Sequence, residues 1–174
     1  MQQNNFTYRN ISIQDKEQLK QLGIISYGQF SNVLEPEHFN TLNNFLHDED
    51  KLTQLINNST GFACVHNHKI IGMAYIIASG NPWDIFKAEW SYIRMVGVNP
   101  LYQGQGIAKK LTQMCVNHAS RTNEKIVALH TSDFMNAARH IYESLGFKIL
   151  QEIEPRFGKK YWLYTLNLYA KIKP

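Results

Sequence analysis

The sequence predicts a single α/β domain that spans residues 1–174, and three observations support this prediction. The chain has 174 residues, of which 44% are hydrophobic, so it is long and apolar enough for one packed core. Short apolar segments of strand length alternate with amphipathic segments of helix length. A loop that contains glycine joins an apolar strand directly to an amphipathic helix. In addition, no repeat, low-complexity tract or linker divides the chain into separate domains.

The first third of the chain is predicted to hold one strand followed by two helices. The strand covers residues 6–11, and Ser12 precedes Asp15 by three residues, which is the spacing of a capping box at a helix start. Pro36 is suited to the first turn of the second helix, whose apolar residues recur at helical spacing. The polar segment 47–50 interrupts this apolar pattern before it resumes.

The rest of the chain is predicted to contribute six strands and two helices. The strands are expected at residues 62–66, 70–77, 90–98, 126–130, 147–153 and 161–168. Residues 67–69 are a plausible hairpin turn between the first two strands, and residues 155–158 join the last two. One helix follows the glycine loop, and another runs from about residue 135 to 145 because Gly146 is a typical residue after a helix end.

Composition argues against several classes of protein. A net charge of +4 without a concentrated basic stripe does not predict a nucleic-acid partner. No apolar run is long enough to span a bilayer and the polar residues 1–5 do not resemble a signal peptide, so we expect a cytoplasmic protein without a membrane partner. Cys64 and Cys115 are expected to be buried free thiols, and the scattered histidines predict no metal site.

The most informative segment is 98–111, where a strand pattern ends, two glycines follow and an amphipathic helix begins. A helix start presents unpaired N–H groups with the helix dipole behind them, which favours a phosphate or pyrophosphate ligand. Gly104 and Gly106 leave room for such a ligand because neither carries a Cβ. The segment is not a P-loop, since Ile107 follows Gly106, and Lys109 replaces the third glycine of a dinucleotide fingerprint.

Two motifs, in this order along the chain, resemble those of the GNAT N-acetyltransferases. Gln103-x-x-Gly106-x-Ala108, which follows a strand ending in Val98-x-Pro100, resembles the acyl-CoA-binding motif of that family. The segment 136–147, with Asn136, Tyr142 and Gly146-Phe147, is similar to the second signature of the family. Arg139 departs from that signature, in which alanine follows the asparagine by three residues, while alanines occupy the two positions before it. The resemblance covers the chain from about residue 62 onward.

The resemblance implies a mixed, mostly antiparallel central sheet of about seven strands, flanked by about four helices. This sheet would splay open between the strands at residues 90–98 and 126–130 to admit acetyl-CoA as the acyl donor. The pantetheine arm would bond the backbone of Val96 and Val98, where Gly97 suits a close approach or a bulge. The other residues implied in cofactor binding are Gln103, Gly104, Gln105, Gly106, Ile107, Ala108 and Asn136.

The resemblance also implies direct attack of an amine on the thioester, with Tyr142 protonating the departing thiolate. The attacking amine must lose a proton, and some family members carry a carboxylate for this purpose at the place of Tyr92. Since a phenol is a poor base, we consider Glu89 at the start of the strand as the candidate base. His130 and an ordered water are the alternatives that the sequence leaves open.

The acceptor amine is the least defined part of the predicted function. Trp90, Tyr92 and Arg94 alternate onto one strand face and are candidates to line the acceptor pocket. The resemblance is compatible with a small-molecule amine or a peptide amine, and it leaves a homodimer open. The alternative function is a non-catalytic GNAT-fold protein that binds acyl-CoA as a sensor.

Overall fold

The computed structural model describes residues 5–169, which form seven strands and five α-helices. The strands are β1 (Thr7–Asn10), β2 (Thr60–His66), β3 (Lys69–Ile77), β4 (Ser91–Val98), β5 (Ile126–Ser132), β6 (Lys148–Arg156) and β7 (Lys159–Asn167). The helices are α1 (Lys16–Gly28), α2 (Pro36–His47), α3 (Glu49–Asn57), α4 (Ile107–Arg121) and α5 (Asn136–Ser144). All predicted elements are present, with ends that differ by a few residues.

One sheet contains all seven strands in the order β1-β2-β3-β4-β5-β7-β6. Every neighbouring pair is antiparallel except β4 and β5, which are parallel. These two central strands pair only at Ser91 with Val127 and at Tyr92 with Ala128, so they separate over the rest of their length. The predicted mixed sheet and its splay between these strands are therefore confirmed.

The segment predicted as one interrupted helix forms two helices, α2 and α3. Asp48 has an extended backbone (φ −77°, ψ 99°) that ends α2, and its carboxylate accepts the N–H of Lys51 at 3.0 Å as the N-cap of α3. A short polar side chain at this position satisfies a backbone donor that a helix start would otherwise leave unpaired. This cap explains why five helices form where about four were expected.

The two predicted hairpins form with shorter turns than expected. Asn67 and His68 both have positive φ values (49° and 63°), which is the geometry of a two-residue hairpin turn between β2 and β3. Phe157 and Gly158 form the turn between β6 and β7. Pro155 was expected in that turn but lies within β6, which tolerates proline because it is an edge strand with one unpaired side.

A bulge interrupts β4 in its second half. Arg94 pairs with Tyr75 of β3 and Gly97 pairs with Met73, so Met95 and Val96 together face the single residue between them. Met95 has a φ of +52°, in the left-handed region that a non-glycine residue rarely adopts. The bulge therefore lies two residues before Gly97. Gly97 instead allows close packing of α1, because a Cβ on it would lie 2.8 Å from the Ser26 hydroxyl.

The sheet is covered by helices on both faces. Helices α4 and α5 pack on one face, where Leu111, Cys115 and Tyr142 belong to one buried cluster. Helix α1 covers the other face through Leu19 and Leu22. Cys64 and Cys115 are free and buried, as predicted. Within residues 5–169, no helix is both long and apolar enough to cross a membrane.

Candidate active site

The start of α4 presents a group of unpaired backbone donors. Gly106 is the N-cap in the left-handed conformation (φ 78°), and it offers no side chain to cap the helix. Lys110 makes the first helical bond, to the carbonyl of Gly106 at 3.0 Å. The N–H groups of Ile107, Ala108 and Lys109 donate to no acceptor within residues 5–169. With no acidic residue in the first turn, this helix start favours an anion.

The loop before α4 leaves the space in front of these donors open. Gly104 and Gly106 both have positive φ values, and a Cβ built on either would meet nothing within 4 Å. The backbone conformation therefore favours glycine at both positions. Gln105 is exposed between them, and the side-chain amide of Gln103 donates to the Gln29 side chain at 3.4 Å. That bond connects the loop to the residue that follows α1.

The edge of β4 that faces β5 carries backbone groups that the sheet does not use. Asn99 donates its N–H to Ile71 of β3 at 2.8 Å, and peptide groups alternate in direction along a strand, so those of Val98 face away from β3. The carbonyl of Val96 accepts a bond from the Tyr27 hydroxyl at 3.2 Å. Tyr27 is 69 residues before Val96, and no local pattern in the sequence marked it as part of this region.

Tyr142 lies in α5 with its ring edge-on to Phe147, at 6.1 Å between ring centres. The side chain is 7% exposed, and its hydroxyl has no hydrogen-bond partner in the described part of the chain. Burial raises the pKa of Tyr142 well above its usual value, and the nearby Tyr27 and Cys115 side chains raise it further. The phenol is therefore neutral at physiological pH and holds a proton that it can donate.

Asn136 is the first residue of α5 and does not cap this helix. Met135 occupies the N-cap position, and the exposed Asn136 side chain makes no capping bond. Because β4 and β5 are parallel and each leads into a helix, the starts of α4 and α5 lie beyond the same edge of the sheet. Crevices at the carboxyl ends of diverging parallel strands are the usual ligand sites of open α/β sheets.

The candidate bases differ in their surroundings. Glu89 is exposed in the turn before β4, at the opposite end of this strand from the glycine loop. His130 stacks on Phe86 with 5.8 Å between ring centres, and its buried Nδ1 has no hydrogen-bond partner in the described residues. Burial, together with the charges of Arg156 and Arg94, lowers the pKa of His130 to about 4. The imidazole is therefore neutral at physiological pH and a weak base.

Tyr92 is unsuited to remove a proton. Its hydroxyl donates to the carbonyl of Asn81 at 3.1 Å, and burial raises the pKa of this phenol. Tyr92 thus donates its hydroxyl proton, whereas a general base has to accept a proton from the amine.

A cavity of about 640 Å³ lies between α1, α3 and the strands β3 and β4. Two of the three residues predicted to share a face of β4, Tyr92 and Arg94, line it. Trp90, the third, is buried under Lys87, whose ammonium lies 5.1 Å from the ring centre. Trp83 also lines the cavity and was not predicted from the sequence. Its ring covers the Arg94 guanidinium at 3.9 Å.

No three histidine, cysteine, aspartate or glutamate side chains within the described residues come together as a metal site would require. The two cysteines are also unsuited to act as nucleophiles. Burial raises the pKa of both thiols, so neither forms the reactive thiolate readily.

Comparison with known proteins assigns this architecture to a family. A family model described as the acetyltransferase (GNAT) family matches residues 27–147. N-alpha-acetyltransferase 30 of Saccharomyces cerevisiae is 38% identical over 56 residues, which are 32% of this chain and 32% of that protein. Mycothiol acetyltransferase of Gordonia bronchialis is 37% identical over 84 residues, or 44% of this chain and 27% of that protein. The aligned part of the chain thus spans no more than 32% of either relative.

The fold is also that of a solved structure. The crystal structure of PaiA N-acetyltransferase from Thermoplasma acidophilum in complex with coenzyme A superposes with a TM-score of 0.76 at 15% sequence identity. The superposition covers 94% of this chain and 99% of that one. At this level of identity the similarity concerns the fold.

Proposed function

Because the chain belongs to the GNAT family of acetyltransferases, we propose that it transfers the acetyl group of acetyl-CoA to a primary amine by direct attack on the thioester. The start of α4 carries this proposal. Three N–H groups that have no acceptor among residues 5–169 lie there behind two glycines that leave the space open, beside the edge of β4 that separates from β5. A long ligand with an anionic diphosphate and an extended amide arm matches both features.

The residues proposed to hold acetyl-CoA form a continuous set along this edge. The amides from Gly104 to Ala108 bind the diphosphate, while the N–H of Gln103, which was expected among them, already donates to the Pro100 carbonyl at 3.3 Å. Lys109 adds positive charge. The backbone of Val96 and Val98 bonds the pantetheine arm. The Val96 carbonyl that accepts from Tyr27 retains a second lone pair for a ligand donor. Asn136 contacts the cofactor from the start of α5.

Tyr142 acts as the general acid in this proposal. The donor supplies an activated thioester, and the chain must provide a proton to the sulfur that leaves. Burial keeps the Tyr142 phenol protonated, and no acceptor within the described residues competes for that proton. With both cysteines buried as thiols, the amine attacks directly and no acyl-enzyme forms.

The proton acceptor is proposed to be Glu89, with His130 or an ordered water as the alternatives. Glu89 is exposed to solvent. His130 lies on β5, beside the gap where β4 and β5 separate, and its buried Nδ1 has no partner in the described residues but binds a proton weakly. Glu89→Gln and His130→Gln variants distinguish the three, because removal of a general base typically lowers kcat/KM by about 10²- to 10⁴-fold. Wild-type rates in both variants support an ordered water.

The acceptor proposed is a small molecule or a peptide. One of the two relatives is named an N-alpha-acetyltransferase and the other a mycothiol acetyltransferase. These two names differ in the acceptor that they indicate, so we keep both kinds of acceptor in the proposal. A cytoplasmic location also remains a prediction. Light scattering, which measures the molar mass in solution, would decide whether the protein forms a homodimer.

The second candidate function is an acyl-CoA-binding sensor without turnover. It is favoured by one observation, which is the donor Tyr92 at a place where some family members carry a carboxylate base. Thiol release from acetyl-CoA, measured with a panel of amines and without amine, separates the two functions. Amine-dependent release supports the transferase, whereas tight binding of acetyl-CoA without release from any amine supports the sensor.

A further inference from the structure

Arg94 is a charged residue that lines the cavity beside β4 and has no ion-pair partner among the described residues. Four charged side chains line this cavity, and three of them are in ion pairs. Lys20 pairs with Glu49 at 2.6 Å, and Lys51 pairs with Asp48 at 3.2 Å. Within residues 5–169, the Arg94 guanidinium has neither a carboxylate partner nor a hydrogen-bond acceptor. Arg94 is half-buried on the wall of this cavity, so its charge is available to an anion that enters the cavity.

The surroundings of Arg94 orient it for a planar anion. Trp83 stacks on the guanidinium at 3.9 Å and so covers one of its faces. The N–H donors of a guanidinium lie in its plane, so stacking leaves them available to the two oxygens of a carboxylate. Burial lowers the pKa of Arg94 from its high usual value, but the group remains charged at physiological pH.

Two further nitrogen-bearing side chains, His130 and Arg156, lie nearby, and each has a buried nitrogen without a partner in the described residues. Extending the parallel register of β4 and β5 by two residues places His130 opposite Arg94 across the gap. The charges of Arg94 and Arg156 both act on His130. Arg156 pairs through Nη2 with Asp84, while its buried Nε has no partner in the described part of the chain. Two arginines and one acid therefore leave a net positive charge at this point.

We propose that Arg94, supported by Arg156, binds a carboxylate of the acceptor, so that the acceptor is an amine that also carries a carboxylate. This inference rests on the proposed acetyltransferase function and narrows its acceptor class. Arg94 lies two residues before Val96 on β4, so its carboxylate site adjoins the backbone that we assign to the pantetheine arm. A short amino acid then reaches the thioester with its amine while Arg94 holds its carboxylate.

The test compares pairs of acceptors in which one carboxylate is replaced by a neutral amide, at the side chain in two pairs and at the α-carbon in the third. Thiol release from acetyl-CoA is measured with aspartate against asparagine, glutamate against glutamine, and glycine against glycinamide. The wild-type protein is expected to prefer the carboxylate member of at least one pair by about 10- to 100-fold in kcat/KM, the usual range for a charged hydrogen bond. Arg94→Gln is expected to reduce this ratio to near 1, mainly through KM, and Arg94→Lys to restore part of it.

Arg139→Gln is the matched control. Arg139 also stacks on a tryptophan, with its guanidinium 4.4 Å from the Trp162 ring centre, but it bonds to Tyr164 and lies beside Glu143. This variant should keep the wild-type preference. Equal rates within every pair, or a preference that Arg94→Gln leaves intact, would overturn the inference while leaving the acetyltransferase proposal in place.

Binding distinguishes failure of the inference from failure of the proposed function. Each amine of the panel is titrated into protein saturated with CoA, where no turnover occurs. A carboxylate-dependent thermal shift that Arg94→Gln abolishes supports the inference even if no amine is acetylated, in which case the transferase proposal fails alone. A weaker affinity of Arg94→Gln for CoA itself would instead assign the guanidinium to the cofactor and overturn the inference.

Discussion

At the scale of single residues, Tyr142 is the side chain on which the proposed chemistry depends most. Replacing it with phenylalanine removes only the hydroxyl, which has no hydrogen bond to lose within the described residues. We expect Tyr142→Phe to slow turnover by about 10²-fold or more, because a general acid contributes on this scale. The affinity for acetyl-CoA should change little. Steady-state thiol release and calorimetry measure the two quantities.

Tyr164→Phe is the control for this substitution. Tyr164 is also fully buried, and its hydroxyl donates to Glu143 at 2.9 Å, outside the set of residues proposed to bind acetyl-CoA. This variant should lose some stability and keep its turnover. Equal rates in Tyr142→Phe and the wild-type protein would remove Tyr142 from the mechanism.

The residues of the site differ in how far the sequence could predict them. Gln103, Gly106 and Tyr142 belong to short motifs with fixed spacing, so they are recognisable locally. The bond from Tyr27 to Val96 is not, because it joins residues that only the folded chain brings together. The alternation of side chains along β4 predicted which face carries Arg94. Its lack of an ion pair was not predictable from the sequence, because it depends on the pairing of Glu49, Asp48 and Asp84 with other cations in the folded chain.

At the scale of elements, the start of α4 allows a specific test of the proposed diphosphate site. Valine at position 106 would adopt an unfavourable left-handed conformation, and its side chain would enter the open space in front of the first N–H groups of α4. We expect Gly106→Val to abolish binding of CoA in calorimetry. Strain alone would lower stability by about 1–2 kcal/mol without removing a ligand site.

Gly80→Val separates these two effects. Gly80 has a φ of +90° and equally open surroundings, but it lies in the loop before β4. The two valine variants should lose similar stability, and only the one at position 106 should lose CoA binding. Retained binding in Gly106→Val would contradict the proposed loop geometry.

The junction between β1 and α1 predicts a pH-dependent contribution to stability. Asp15 accepts two bonds from Arg9 at 2.8 Å and one from the Ser12 N–H at 2.9 Å, and the Arg9 guanidinium lowers the pKa of Asp15 below its usual range. The folded state therefore binds a proton to Asp15 less readily than the unfolded state does. This contribution is complete above the unfolded pKa of about 4 and is lost as the pH falls through the folded value.

Asp15→Asn is accordingly expected to lower the free energy of unfolding by about 1–3 kcal/mol at pH 7, the range for a charged hydrogen bond or an unsatisfied donor. Urea unfolding at pH 7, 5 and 3.5 should show the difference from the wild-type protein shrinking at the lowest pH. Asp50→Asn, on the exposed first turn of α3, should cost less than about 0.5 kcal/mol. A difference that stays constant across the pH range would mean that the Asp15 charge is not its source.

The elements were predictable where a single local signal decided them. Positive φ values at Asn67 and His68 follow from turn residues between two apolar runs. The strand position of Pro155 was not predictable, because it depends on β6 being an edge, which is a property of the whole sheet. The position of the bulge at Met95 rather than Gly97 was not predictable for a similar reason. Gly97 is needed for the close approach of Ser26 in α1, and this contact exists only in the folded chain.

At the scale of the whole molecule, the gap between β4 and β5 combines an unpaired sheet edge with two helix starts. The order of the seven strands sets the gap, and periodicity along the chain carries no information about which strands become neighbours. The splay was therefore predictable only through the two family motifs, which lie on either side of it. Unpaired strand edges are a liability in proteins, and a ligand that bonds to this edge would complete the sheet.

Hydrogen exchange measures whether acetyl-CoA completes the sheet in this way. Bound at 100 times its dissociation constant, a ligand stabilises the folded state by about 2.7 kcal/mol, and amides that exchange through opening of its site gain protection. We expect the largest gains at residues 93–98 and 103–110 and at the start of α5, with little change in β1 and β2. Because Asn99 already bonds to Ile71, its protection should depend less on the ligand than that of Val98. Protection confined to the cavity beside α3, or none in β4, would place the ligand outside the gap and refute the proposed acyl-CoA site.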